Sequence, residues 1–177
     1  MKLLLHICCG PCAVYPTEIL SERNVDFTGM FFNPNIHPLE EFKRRGENLE
    51  KLASYKNFNV IYYDDFDQKS WENYKGPAGA RCRMCYALRF EKTARVAAEN
   101  GYDAFSTTLL VSPYQKHEMI IDICNGLSEK YNIKFYYEDW REGYRQGQQK
   151  AREYGLYRQK YCGCIKSVDE TTLKKLK

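Results

Sequence analysis

The sequence opens Met1-Lys2-Leu3-Leu4-Leu5-His6-Ile7-Cys8-Cys9-Gly10-Pro11-Cys12, an apolar run that ends in three thiols. The run has the look of a signal peptide or a lipoprotein leader. It is short, however, His6 interrupts it, and no small-residue cleavage site follows. It reads instead as a buried β-strand over 3–9, with thiols at its carboxyl end. On that reading the protein is expected in the cytoplasm. No stretch approaches the roughly 20 apolar residues of a membrane span, so no membrane partner is expected.

Outward from this strand, strand and helix alternate. A helix is predicted over 14–22 and a second strand over 27–32, running into Asn33-Pro34-Asn35-Ile36-His37-Pro38. A long charged helix over 39–55 and a third strand over 59–63 follow. Residues 64–81 are irregular, with a short helix around Trp71. A helix over 82–100 stops at Gly101. A fourth strand covers 104–110. Ser112-Pro113-Tyr114-Gln115 reads as a helix start, with Ser as N-cap, Pro first and Gln three after the cap. That helix runs to about Tyr131. A fifth strand covers 134–137. The remainder is helical, loosely so over 141–157, and Ser167-Val168-Asp169-Glu170 opens a last short helix.

This alternation predicts one α/β domain over 1–177, with a five-stranded, mostly parallel sheet flanked by helices. Crossovers should be right-handed. The length suits one domain of about 100–200 residues. A hydrophobic fraction of 44% and a charged fraction of 28% exclude a disordered chain. Ligands of such sheets sit beyond the carboxyl ends of strands, where strand order reverses. Cys8, Cys9 and Cys12, the segment 107–112 and the loop 33–38 would rim one crevice.

The eight cysteines are Cys8, Cys9, Cys12, Cys82, Cys85, Cys124, Cys162 and Cys164. In a reducing compartment, clustered cysteines point to metal or redox chemistry more than to disulfides. Cys82-x-x-Cys85 at a loop-to-helix junction lets two thiolates converge, and a helix N-terminus lowers a thiol pKa. An all-sulfur ligand set suits zinc or an iron–sulfur cluster. Neighbouring strand residues point to opposite faces, so Cys8 and Cys9 reach one centre only if the backbone has turned. Otherwise Cys12 is the natural substitute. Cys162-Gly163-Cys164 is too tight for a relaxed disulfide, so it is either a labile redox pair or a metal ligand pair. Cys124 falls on an apolar helical pattern and reads as core.

Charge is uneven. Residues 141–177 hold ten Lys or Arg against four Asp or Glu, within an overall net charge of +4. A basic end suits a polyanion, and equally a solvated helix.

These motifs taken together resemble the QueH-type epoxyqueuosine reductases. The matching pieces are Leu-Leu-His-Ile-Cys-Cys-Gly-Pro-Cys at 4–12, Phe-Asn-Pro-Asn-Ile-His-Pro at 32–38 and Cys-Arg-Met-Cys-Tyr-Ala-Leu-Arg at 82–89. Thr-Thr-Leu-Leu-Val-Ser-Pro-Tyr-Gln at 107–115 and Tyr-Cys-Gly-Cys at 161–164 complete the set. They stand in family order and span nearly the whole chain. The resemblance implies reductive removal of the epoxide oxygen of epoxyqueuosine at the tRNA wobble position. It implies Cys8, Cys9, Cys82 and Cys85 as ligands of a [4Fe-4S] cluster, and Cys162 and Cys164 as a redox-active pair. It also implies a core like the nucleotide-binding α/β fold of tRNA-modifying pyrophosphatases. Neither a phosphate-binding loop nor G-x-G-x-x-G is present, so no nucleotide cofactor is called for.

Converting an epoxide to an alkene consumes two electrons and two protons and releases water. An iron–sulfur cluster passes single electrons, so an external electron donor and a second electron store are expected. That store is a dithiol or a second metal ion, iron, with ligands drawn from Cys12, Cys162, Cys164 or one of Cys8 and Cys9 and a carboxylate such as Asp64, Asp65 or Asp67. His37 and Tyr86 are candidate proton donors, with loop bracing and core packing as their plainer roles. His6 is read as packed within the first strand, and His117 as exposed. Trp71 and Trp140 are read as packing residues, Arg44 and Arg45 as solvated. Thr107, Thr108 and Ser112 line the substrate or cap strand ends. In the basic segment, Arg141, Arg145, Lys150, Arg152, Arg158 and Lys160 suit anticodon-loop phosphates, and Tyr144, Tyr154, Tyr157 and Tyr161 suit unpaired bases. The rivals are a zinc-stabilised RNA-binding module and a sulfur-transfer tRNA-modifying enzyme. The second would need ATP, against which the missing phosphate loop argues.

Overall fold

The computed structural model describes residues 1–168. The sheet contains β1 (Lys2–His6), β2 (Asp26–Phe31), β3 (Val60–Tyr62), β4 (Ala104–Thr107) and β5 (Lys134–Phe135). The helices are α1 (Gly10–Glu22), α2 (Leu39–Lys56), α3 (Gln68–Glu72), α4 (Ala78–Glu99), α5 (His117–Tyr131) and α6 (Tyr144–Glu153). The strand order is β3-β2-β1-β4-β5 and every pairing is parallel. This is the expected α/β domain. No helix among the described residues is long and apolar enough to cross a membrane.

β1 is central because it can be. Leu3, Leu4, Leu5 and Ile7 are fully buried, each contributing about 1.5–3 kcal/mol of burial free energy. Apolar side chains on successive residues suit a strand covered on both faces. α1 packs on α2 and α6, while α4 packs on α5, β1 and β4. Strand order reverses at β1, between β2 and β4, and that places the crevice beyond Ile7.

Several boundaries differ from the sequence expectation for local reasons. β1 ends at His6 and the chain bends at Cys8. α1 therefore starts at Gly10, and Cys12 lies in its first turn. β4 stops at Thr107, whose hydroxyl accepts the Leu109 N–H at 3.2 Å and starts a 3-10 turn over Thr108–Val111. The Ser112 hydroxyl caps only a single turn, accepting from the Tyr114 N–H at 3.3 Å. The Lys116 N–H is then diverted to the Tyr86 hydroxyl, and α5 begins at His117. The last predicted helix runs beyond the described residues.

Two side chains expected at the surface are buried. Arg45 is 2% exposed, its guanidinium paired with the buried Glu41 carboxylate at 2.7 Å. His117 is 7% exposed and its Nε2 lies 3.2 Å from the Tyr137 hydroxyl. His6, Trp71 and Trp140 are buried as read, and Cys124 lies in the core.

Candidate active site

The bend after β1 removes the alternation that would have separated Cys8 from Cys9. Their sulfurs lie 3.6 Å apart. With Cys12 they form a buried group whose sulfurs all lie within 4.8 Å of one another. The three thiols share protons. Hydrogen bonds from Cys12 and Cys9 hold the Cys8 thiol well below its ordinary range. The same sharing with Cys8 pushes Cys12 up, and burial pushes Cys9 up. The Thr108 hydroxyl lies 3.9 Å from the Cys8 sulfur, and the Gln159 amide donates to Cys12 at 3.5 Å.

Cys8 and Cys12 open onto a cavity of about 260 Å³, walled also by Arg45, Ser112, Tyr144 and Lys160. A second cavity of about 150 Å³ adjoins it, lined by Cys82, Cys85, Cys162 and Cys164 together with Tyr86 and Arg89. Leu109, Tyr114, Gln115 and Cys162 line both. Seven of the eight cysteines thus gather in two adjoining sets. Cys8 and Cys9 join Cys12, and Cys82 and Cys85 join Cys162 and Cys164.

The donor chemistry of these sets fits an iron–sulfur cofactor. All the donors are sulfur, and thiolate ligands select iron–sulfur clusters, zinc or Cu(I) over hard cations. A second observation agrees. Arg89 is 4% exposed and has no ion-pair partner among the described residues. Among the described residues its one hydrogen bond is to the Cys85 carbonyl, at 3.1 Å, and its guanidinium lies over the Tyr86 and Phe90 rings. A buried cation needs a nearby anion, and thiolates ligating a metal supply one. Asn35 and Trp71 also line the second cavity, and each has a buried polar atom without a hydrogen-bond partner among the described residues.

The Cys162–Cys164 turn is pinned from beneath. Arg45 donates to the Tyr161 carbonyl at 2.9 Å and to the Cys162 carbonyl at 3.3 Å. The Gly163 carbonyl accepts the His37 N–H at 2.8 Å. Gly163 has φ +113°, and a Cβ there would meet Ile36 at 3.0 Å, so only glycine suits the turn. Cys162 is exposed and Cys164 buried, both as free thiols.

The His37 ring is fully buried and spent on the backbone. Its Nδ1 accepts from the Ile165 N–H at 3.1 Å, and its Nε2 faces the carbonyls of Pro34 and Asp67 at 3.0 and 3.2 Å. This geometry is that of a loop brace. The Tyr86 hydroxyl instead stands at the second cavity, donating to Gln115 at 2.6 Å. Burial raises its pKa, so it keeps its proton. Asp67 caps α3 through the Ser70 N–H and lines a different surface hollow, away from the cysteines. Asp64 and Asp65 are exposed.

The sequence reading missed Arg89, Glu41, Asn35 and Gln115. Arg89 stands four after Cys85 on α4 and Arg45 four after Glu41 on α2, spacings that place each pair on one helix face. The basic segment divides. Arg141 is paired with Asp139 and Lys150 with Glu18. Tyr154, Tyr157 and Tyr161 donate to Glu18, Glu41 and the His37 carbonyl respectively. Of the four tyrosines, Tyr144 and Tyr161 line the cavity beside the triad.

The family model described as "Epoxyqueuosine reductase QueH" matches residues 3–170. The chain belongs to the epoxyqueuosine reductase QueH family. It is 38% identical to the QueH of Thermotoga maritima, over 95% of this chain and 91% of that one. It is 35% identical to the QueH of Dehalococcoides mccartyi, over 96% and 93%. Among solved structures, a predicted subunit of a tRNA methyltransferase from Methanocaldococcus jannaschii overlaps with a TM-score of 0.48 at 16% identity, covering 85% of this chain and 75% of that one.

Proposed function

We propose that this protein is an epoxyqueuosine reductase, which removes the epoxide oxygen of epoxyqueuosine at the tRNA wobble position and leaves queuosine. The observation that carries the reading is the pair of adjoining cysteine cavities with Cys162 on their shared wall. The resemblance draws the ligands of a [4Fe-4S] cluster from Cys8, Cys9, Cys82 and Cys85. The geometry favours a modified division. In it, Cys8, Cys9 and Cys12 anchor one metal centre, and the other four cysteines serve the neighbouring cavity as ligands of a second iron or as a dithiol.

When bound, an iron–sulfur cluster supplies electrons one at a time from an external donor. The side chains do the rest. Tyr86, protonated and hydrogen-bonded to Gln115, is placed to give a proton to the departing oxygen. Arg45 and His37 hold the Cys162–Cys164 turn against the cavity wall. Arg89 offsets the negative charge of thiolates. Each turnover consumes two electrons and two protons and releases one water. Thiols in this number, kept free, suit a reducing cytoplasm.

The test is the colour and the iron, sulfide and zinc content of protein prepared without oxygen, before and after Cys12→Ala and Cys82→Ala. A brown protein with at least about four irons, losing iron in both variants, supports the reading, as does turnover of epoxyqueuosine tRNA. A colourless protein with about one zinc would sink it and favour an RNA-binding module.

A further inference from the structure

We propose that the groove beside the cysteine cavities, walled by Tyr114, Tyr144, Arg145, Gln148, Arg152 and Arg158, holds the single-stranded RNA that flanks the modified nucleoside. The inference rests on the reading that the substrate is a tRNA, and adds where the strand lies and which groups grip it.

The groove has a volume of about 520 Å³. It shares Tyr114 and Tyr144 with the cavity onto which Cys8 and Cys12 open. A strand lying in it is therefore continuous with a nucleoside reaching the thiols. Residues 145, 148, 149 and 152 follow i, i+3, i+4, i+7 spacing, which puts them on one face of α6. Gly147 and Ala151 are buried, and Gly147 meets Tyr15 of α1, so this face stays outward.

The charge of the groove has one sign. Among the described residues three arginines line it and no carboxylate does. Glu142 and Glu153, the acids of the segment 141–160, are not among its walls. Among the described residues Arg145, Arg152 and Arg158 have no ion-pair partner, whereas Arg141 and Lys150 are neutralised. Arg158 is steadied by Gln148, whose amide oxygen accepts its Nε–H at 3.0 Å, and its other donors are left for a ligand. Guanidinium groups match phosphate oxygens bidentately.

The groove also carries an aromatic platform. Tyr114 is 81% exposed, far more than a packing tyrosine needs. Tyr144 meets its ring edge-on, with centroids 5.7 Å apart, and so fixes its plane. A flat exposed ring beside arginines is the combination that grips unpaired nucleotides through stacking and phosphate contacts. Such a grip reads backbone and base faces, so it tolerates different sequences on either side of the target. An acidic peptide would use the arginines but leave the ring idle.

The experiment measures binding of an unmodified anticodon stem-loop RNA to metal-loaded protein across a salt series. Wild type is compared with Arg145→Ala/Arg152→Ala, with Tyr114→Ala, and with Arg95→Ala, an exposed α4 residue outside all three cavities. For the double variant, two lost phosphate contacts should lower the slope of log K against log salt by about 1.4. Tyr114→Ala should weaken binding about tenfold with the slope unchanged. Arg95→Ala should match wild type, and iron content and Tm should be unaltered in it and in the double arginine variant. If wild type binds and the groove variants keep its affinity and slope, the groove assignment is overturned while the tRNA reading stands. If wild type fails to bind the RNA at all, both fall together.

Discussion

Arg45 is where charge, packing and the site meet. Its partner Glu41 is fully buried, and the Tyr157 hydroxyl covers the second carboxylate oxygen at 2.9 Å. Removing one half of such a pair leaves an uncompensated charge in the interior. Arg45→Met is therefore expected to cost about 3–5 kcal/mol, and Glu41→Gln added to it should recover most of the loss. Urea denaturation of the single and double variants checks this. His37 gives a sharper functional contrast. As a brace, His37→Gln should lower Tm yet leave the pH dependence of turnover by the folded fraction unchanged. Loss of one limb of that profile would make His37 a proton donor instead. At this scale the sequence was only half readable. Glu41 and Arg45 show i,i+4 spacing, but spacing is silent on which helix face the domain covers. Cys8 and Cys9 were legible as thiols at a strand end, while their convergence depended on a bend that strand periodicity does not encode.

α6 is positioned by absence of side chains as much as by their presence. A Cβ on Gly143 would come within 2.2 Å of the Tyr15 ring, and one on Gly147 within 3.2 Å of the Tyr15 Cβ. The helix therefore rests its backbone on α1 and turns Arg145 and Arg152 outward. Gly143→Val is expected to overpack this contact, costing about 1–3 kcal/mol. It should also weaken RNA binding, although residue 143 lies outside the groove. Chemical denaturation and the stem-loop titration check the two effects. Elements were the most legible level of the sequence. All five strands and the main helices fall where apolar periodicity and Gly or Pro punctuation put them. Boundaries at Thr107 and Ser112–His117 are misplaced because a side chain takes a backbone N–H away from regular structure. Propensity alone does not show such competition. α1 and α4 also begin four residues earlier than expected, at Gly10 and Ala78, so Cys12 and Cys82 lie inside helices and not at a loop-to-helix junction.

For the whole molecule, burial around the parallel sheet and metal binding by the cysteines are two sources of stability. The thiols of Cys8, Cys9 and Cys12 belong to the same buried core as Leu3–Ile7, and a bound metal adds its own linkage free energy. At a thousand times its Kd a ligand contributes about 4 kcal/mol, which in a domain of this size corresponds to a Tm shift of about 10 °C. Treatment with a strong iron chelator is expected to lower Tm by that order and to abolish turnover, while the far-UV circular dichroism stays that of an α/β protein. Loss of the far-UV signal would mean that the metal organises the fold itself. The topology was legible because alternation of strand and helix leaves few arrangements. Which cysteines face which cavity was not, since loops spaced far apart in sequence settle it in three dimensions.

The position of β1 has a consequence in time. Leu3 pairs with Phe27 on one side and Ala104 on the other. At about 5–20 residues per second on the ribosome, its second neighbour arrives roughly 5–20 s after β1 itself. Until then a run of leucines lies on an open edge, followed at once by three thiols. The growing chain thus presents three of its thiols to solvent before the pocket that shelters them has been made.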